Sequence, residues 1–323
     1  MEDPSYRPTY SRSQVKNYFH HISLPQRYRE QAFEISKSDS TDQQLEFLTS
    51  LQQHQLANVP FENLAIHYSI HHTVSIDAHD LYIKMVENAR GRGGYCMENN
   101  CFFGTILRTL GFKEYGVGGR IADAVNGSTG GGFGGWSHMV NLVTLASGQK
   151  YMLDVGFGSD CATRPLPLSN SLETGDVLQG IGAQQLRLIY SSIASTTSPD
   201  QKIWIFQRRY SPSDEWRTAY CFTELEFLPR DYGMMNYYTS TCRTVFFTYA
   251  IIAVKLVMEG EEMVGEMILT GGEVKRRIRG ETEHLMSCKS EGERVGALER
   301  WFGLRLTAEE RRGISGTVTE LKG

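Results

Sequence analysis

The segment Arg92-Gly93-Gly94-Tyr95-Cys96-Met97-Glu98-Asn99-Asn100 sets a cysteine on a glycine-rich turn that runs into a helical pattern. A thiol at the start of a helix meets unpaired backbone N–H groups and the positive end of the helix dipole, which favour thiolate over thiol. That is the setting of a nucleophile. A tight turn with an inert thiol would use the same residues, so the segment alone leaves both readings open. A thiolate nucleophile also needs a base, and the base an orienting carboxylate. His138 opens the run His138 to Val143 after a glycine-rich stretch, and Asp154 closes the run Tyr151 to Asp154 before Val155-Gly156-Phe157-Gly158. With a turn at Gly148, two neighbouring antiparallel strands would bring His138 and Asp154 side by side. Cys96, His138 and Asp154 are therefore the candidate catalytic residues.

The elements that must position them follow from periodicity. Ser11 is placed to cap a helix whose apolar face is Val15, Tyr18, Phe19 and Ile22. Thr41 is expected to cap a second helix carrying Leu45, Leu48 and Leu51, and Ser75 to start a third carrying Leu81, Met85 and Val86. A further helix begins just after Cys96, shows Phe103, Ile106, Leu107 and Leu110 on one face, and stops at Gly111. Short β-rich runs then suggest an antiparallel sheet or barrel. The glycine-rich 126–135 stretch reads as a flexible loop. Towards the end, Val245 to Val257 reads as a buried strand pair, Gly271-Gly272 as a hairpin turn, and Glu291 to Phe302 as a helix stopped by Gly303.

Composition narrows the function classes. A chain of 323 residues is expected to divide into two or three subdomains. The formal net charge of −4 argues against nucleic acid or an anionic membrane as partner, since both demand clustered excess Lys and Arg. The longest apolar stretch falls well short of the roughly 20 residues needed to span a bilayer. No charged segment followed by an apolar run opens the sequence, so no secretory signal is expected. Six irregularly spaced cysteines then fit free thiols in a reducing compartment, and the expected location is cytoplasmic. A zinc site built from Cys96, Cys101, Cys161 and His138 has no recognised ligand spacing, and no metal is expected. Cys101 raises a redox-resolving role, set against a place in the helix core.

The motifs in their chain order resemble the arylamine N-acetyltransferases. Those matching are Val59-Pro60-Phe61-Glu62-Asn63-Leu64, Arg92 to Cys96, His138, Leu153-Asp154-Val155-Gly156-Phe157-Gly158 and Met235-Asn236-Tyr237-Tyr238-Thr239-Ser240-Thr241. The resemblance covers about residues 10 to 250 by motif. It implies an α+β fold with a helical bundle over residues 1–95, a middle antiparallel β-barrel with the catalytic His and Asp over 96–210, and an interdomain segment and α/β lid over 211–323. It implies a Cys-His-Asp triad like that of thiol proteases, on Cys96, His138 and Asp154, with Glu62 and Arg92 as a charged pair bracing the site.

The same resemblance implies an acyl-CoA co-substrate, no tightly bound cofactor, an arylamine, arylhydrazine or arylhydroxylamine acceptor, and a monomeric enzyme. Acyl-CoA contacts carry over to Gly134, Gly135, Phe157, Gly158, Tyr238 and Thr244, and acceptor contacts to Ser137 and Phe157. The sequence is most similar to members from filamentous fungi, in which malonyl-CoA can replace acetyl-CoA, so both donors are carried forward. Arg243 stands where a proline is common, and Met97, Asn99 and Asn100 vary the residues after the cysteine. A thiol hydrolase or transglutaminase-like enzyme would share the triad, and a non-catalytic binding protein would leave Cys96 structural.

Overall fold

The computed structural model describes residues 6–127, 131–169 and 173–323. Helix α1 (Arg12–His21) opens with the capping pair its sequence predicts: Gln14 N donates to Ser11 Oγ at 3.2 Å and Ser11 N to Gln14 Oε1 at 2.9 Å. Helices α2 (Gln26–Gln31) and α3 (Thr41–Asn58) follow. The α3 cap is Ser40, whose Oγ accepts from Gln43 N at 3.3 Å, so Thr41 is the first helical residue instead of the cap.

Strand β1 (Phe61–Glu62) and helix α4 (Leu64–Tyr68) lead to α5 (Ala78–Tyr82), which continues as a π-helical turn over Ile83–Glu87. Asp77, not Ser75, caps α5. Its carboxylate, a stronger acceptor at the positive helix end, takes His79 N–H at 2.8 Å, while Ser75 Oγ donates to Asp80 Oδ2 at 2.7 Å. Helix α6 (Cys96–Thr109) starts at Cys96 itself. It ends where predicted, with Gly111 in the left-handed region at φ +88°.

Strands β2 (Lys113–Ala122), β3 (Phe133–Thr144), β4 (Lys150–Leu153), β5 (Leu166–Pro167), β6 (Leu178–Gln179), β7 (Gln185–Ser191), β8 (Ile203–Arg209) and β9 (Arg217–Glu226) form one antiparallel sheet. Its order is β5-β4-β3-β2-β9-β8-β7-β6, and β5 approaches β7, so the sheet curls into a nearly closed barrel. Val117, Val140, Leu142, Met152, Phe206 and Tyr220 belong to its core. The 126–135 stretch is less loop than predicted. Phe133, Gly134 and Gly135 already belong to β3, with Phe133 opposite Ala122, and residues 128–130 lie outside the described residues.

Helix α7 (Pro229–Thr241) is followed by a correction, because Val245 to Val257 is not a strand pair. A short helix α8 (Phe246–Tyr249) precedes strand β10 (Ile252–Glu259). The cause is Asn63, whose Nδ2 donates to the carbonyls of Phe247 and Ala250 at 2.9 and 2.8 Å while its Oδ1 accepts Ile252 N–H at 2.9 Å. This side chain takes up the backbone polar groups that a strand partner would otherwise claim. Strands β11 (Glu262–Thr270), β12 (Glu273–Ile278) and β13 (Glu281–Ser287) complete a second sheet, ordered β1-β10-β11-β12-β13, with the Gly271-Gly272 hairpin as predicted. Helix α9 (Glu291–Ala297) runs on as a π-helical turn to Phe302 and stops at Gly303, φ +73°, before α10 (Ala308–Gly313).

One hydrophobic cluster runs from Phe19 and Phe47 through Cys96 and Phe103 to Leu153 of the barrel and Val254 of the second sheet. The nucleophile candidate therefore sits where all three layers meet. Among the described residues, no helix is long and apolar enough to cross a membrane.

Candidate active site

The turn before Cys96 is pinned to β1 at close range. A Cβ on Gly93 would lie 1.9 Å from the Pro60 carbonyl oxygen, so only glycine permits this approach. Gly94 N then donates to Pro60 O at 3.3 Å and Glu62 N to Gly94 O at 3.0 Å. Glu98 accepts Tyr95 N–H at 3.1 Å, and Asn99 Nδ2 donates to Gly94 O at 2.8 Å. These bonds start α6 at Cys96 and leave its first-turn N–H groups beside the sulfur.

Beneath the turn lies the Glu62–Arg92 pair, fully buried and not the surface ion pair that was its alternative. Arg92 Nε donates to Glu62 Oε1 at 2.9 Å and Nη1 to Glu310 Oε1 at 2.6 Å, while Glu62 Oε2 accepts Leu64 N–H at 2.6 Å. Lys84 Nζ adds contacts of 2.6 Å to Glu98 and 3.6 Å to Glu62. Burial alone would raise the Glu62 carboxyl, but Arg92 and Lys84 override it and hold the group below its usual range.

His138 and Asp154 meet as predicted, with His138 Nε2 2.8 Å from Asp154 Oδ2 and both side chains buried. A carboxylate only accepts, so Nε2 carries a proton and Nδ1 is left as the basic nitrogen. The ladder pairing Asn141 with Leu153 sets this register across β3 and β4, joined by a turn with Gly148 at φ +81°. Burial would raise Asp154, but His138, Asn100 and Gly156 N–H overcome it and hold the carboxyl below its ordinary value. The Cys96 thiol donates to the Ser137 carbonyl, one residue before the imidazole, at 3.4 Å, and lies 3.6 Å from Met97 Sδ.

The electrostatics of Cys96 differ from the sequence expectation. Burial pushes the thiol well above its usual value and the charge of Asp154 adds to this, while the backbone amides of Met97 and Cys96 pull it down. The helix-end effect is present but smaller than desolvation. A thiolate at this position therefore needs a cation beside it as it forms.

Sequence reasoning missed the residue that joins the parts. Asn100 Nδ2 donates to Asp154 Oδ1 at 2.9 Å and Met139 O at 2.7 Å, and its Oδ1 accepts Val155 N–H at 3.1 Å. Asn100 lies at i+4 from Cys96, on the same helix face, a spacing legible in the sequence. Gln52 of α3 donates to Asp154 O at 3.1 Å and Ala162 O at 2.8 Å. Tyr220 of β9 places its ring 4.6 Å from that of His138. Gly156 allows the chain past: a Cβ there would sit 2.8 Å from Cys96 Cα and 2.6 Å from Asn100 Nδ2.

The other predicted site residues occupy two regions. Phe157 packs edge-on against His138 at 5.6 Å and 79°, and Gly158, at φ +88°, faces the ring of Phe61. Ser137 Oγ donates to Gly135 O at 3.2 Å, and Gly134 O accepts from Arg120 Nη1 at 3.1 Å. Tyr238 is exposed on α7, and Thr244 Oγ1 lies 3.3 Å from Cys242 Sγ. All six cysteines are free, and Cys101 Sγ packs 3.6 Å from Met139 Sδ. Among the described residues, no group of three or more His, Cys, Asp or Glu is arranged to hold a metal.

Comparisons with known proteins bear on the family and the fold. Residues 44–311 match a family described as N-acetyltransferase. An N-malonyltransferase of Fusarium pseudograminearum is 36% identical over 321 residues, spanning 95% of this chain and 93% of the relative. One from Gibberella moniliformis is 34% identical over 333 residues, spanning 97% and 94%. The solved arylamine N-acetyltransferase of Nocardia farcinica superposes with a TM-score of 0.76 over 99% of both chains at 23% identity, which is a likeness of fold.

Proposed function

The chain belongs to the arylamine N-acetyltransferase family and is an acyl-CoA-dependent N-acyltransferase, and we propose that Cys96, His138 and Asp154 perform its chemistry with malonyl-CoA as preferred donor. The observation that carries the residue roles is the buried His138–Asp154 pair, which leaves Nδ1 as the basic imidazole nitrogen, with the Cys96 thiol bonded to the carbonyl of the residue just before His138. The malonyl donor rests on the likeness to the two fungal N-malonyltransferases.

The Cys96 proton passes to His138, and the imidazolium, stabilised by Asp154, supplies the cation the buried thiolate needs. Cys96 sulfur attacks the thioester carbon, the bond to CoA sulfur breaks, and CoA leaves with the proton from His138. An amine nitrogen then attacks the acyl-cysteine. His138 takes its proton, the bond to Cys96 breaks, and the thiol is restored. The N–H groups of the first turn of α6 face the oxyanion in both steps. Acceptors are arylamines and hydrazines, whose nitrogens are unprotonated near neutral pH. Gly134, Gly135, Phe157, Gly158, Tyr238 and Thr244 belong to the acyl-CoA contacts, Ser137 and Phe157 to the acceptor's. A monomer in the cytoplasm belongs to the same reading, and the six free thiols support its reducing compartment.

Steady-state kinetics test the two-step scheme. Double-reciprocal plots at several acceptor concentrations should run parallel, and converging lines would mean a direct transfer without an acyl-enzyme.

A further inference from the structure

Arg208, at the end of β8, holds two buried donors that the fold leaves unsatisfied. Its Nε and Nη1 have no hydrogen-bond partner among the described residues, and its side chain is only 12% exposed. Nη2 stands 3.6 Å from Asp160 Oδ2, a carboxylate that already accepts from Tyr210 Oη at 2.8 Å and pairs with Arg277. Arg277, by contrast, is engaged with both Asp160 and Glu266. Buried polar groups are normally bonded, so an arginine with open donors calls for a reason.

Its position supplies one. The guanidinium carbon lies 5.7 Å from the centre of the Phe157 ring, and that ring packs on both His138, at 5.6 Å, and Tyr220, at 5.1 Å. The open donors therefore border the aromatic wall that flanks the imidazole. An acyl chain on Cys96 that ends in a carboxylate brings a charge in beside the rings of Phe157 and Tyr220, where burial is costly without a partner. Arginine is the side chain suited to meet it, by charge and by its planar array of donors.

We propose that Arg208 binds the terminal carboxylate of a malonyl group carried by Cys96, and so selects acyl donors with an ω-carboxylate over neutral ones. This rests on the reading of Cys96 as acyl carrier. Acetyl and propionyl groups offer no carboxylate and leave Arg208 Nε and Nη1 without a partner, so the discrimination resides in the carboxylate.

The test is kcat/KM for malonyl-CoA, propionyl-CoA and acetyl-CoA with one arylamine, in the wild type and in Arg208→Met, Arg208→Gln and Arg208→Lys. Propionyl-CoA matches malonyl-CoA closely in length and lacks the charge. The malonyl-to-propionyl ratio is expected to fall about 10- to 100-fold in Arg208→Met and Arg208→Gln, and less in Arg208→Lys. A ratio that does not move, whether all donors lose activity together or none does, overturns the assignment and leaves Arg208 a structural residue. A wild type that uses acetyl-CoA and not malonyl-CoA also overturns it, while the acyl-cysteine reading survives. A wild type that forms no acyl-enzyme with any of the three removes that reading and this inference with it.

Discussion

Asn100 stands one helical turn beyond Cys96 and donates Nδ2 to Asp154 Oδ1 at 2.9 Å, so the helix carrying the thiol and the strand end carrying the carboxylate share a hydrogen bond. The same side chain bonds the backbone on both flanks, at Met139 and Val155. His138 is the residue before Met139, and Asp154 the residue before Val155. One buried amide thus ties the helix that carries Cys96 to the segments that carry His138 and Asp154, whose own 2.8 Å contact completes the arrangement.

Asn100→Leu keeps the size of that side chain and removes its bonds. Four partners lose a hydrogen bond, Asp154 Oδ1, Met139 O, Val155 N–H and Asn141 Nδ2, which at about 1–3 kcal/mol for each group left unsatisfied predicts a loss of at least about 2 kcal/mol. Urea unfolding measures the loss, and a variant as stable as the wild type would contradict it. The acylation rate of the folded variant should also fall, because Asp154 loses one of the bonds that hold it and keeps only those from His138 and Gly156 N–H.

Gly156→Ala tests spacing without removing any polar group. Its Cβ would overlap Cys96 Cα and Asn100 Nδ2, so the α6 start must shift. A displacement approaching 1 Å at the nucleophile is expected to lower kcat/KM about 100-fold. Activity measured on protein with native circular dichroism checks this, and near-normal kcat/KM would show that the cysteine does not depend on that contact.

Arg92→Met leaves the buried Glu62 carboxylate with only Lys84, at 3.6 Å, as a cation and takes one of two arginines from Glu310. Breaking one side of a buried pair predicts a loss of about 3–5 kcal/mol, far above the value of an exposed ion pair. Denaturant midpoints of Arg92→Met and of Glu62→Gln decide it, and changes below about 1 kcal/mol in both would mean the pair does not brace the site.

Asp154 sets an acid limit. Its folded pKa lies below the ordinary 3.8, so its contribution to stability is complete above that unfolded value and is lost as pH falls through the folded one. The stability gap between the wild type and Asp154→Asn should therefore be constant at neutral pH and narrow below the ordinary value. A gap that stays constant into acid would show that the carboxylate is not held in its charged form.

What could be read along the chain was local. Capping at Ser11, the stops at Gly111 and Gly303 and the Gly271-Gly272 hairpin depend on neighbours a few residues away, and the structure contains each. Cys96, His138 and Asp154 were legible because their flanking glycines and strand patterns are themselves local. Two caps are misplaced locally, Ser40 and Asp77 standing where Thr41 and Ser75 are expected, and the larger failures are tertiary. Nothing near Val245 announces that Asn63, far back in the chain, will take the backbone bonds of that segment and turn it into a helix. The dipole argument for Cys96 is sound for an exposed helix end, but it left out the burial that three converging layers impose. Tyr220 and Gln52 reach the site only through barrel closure and helix packing, which no spacing encodes.

The account stands on a covalent acyl-enzyme at Cys96, and intact-protein mass spectrometry reads it directly. The protein is mixed with malonyl-CoA or acetyl-CoA, with and without an arylamine, alongside Cys96→Ala. The predicted result is a mass gain of one acyl group, greater with malonyl-CoA, that disappears when the arylamine is added and never forms in Cys96→Ala. An adduct that persists in Cys96→Ala, or no adduct in the wild type with either donor, would contradict the assignment of Cys96 as the acyl carrier.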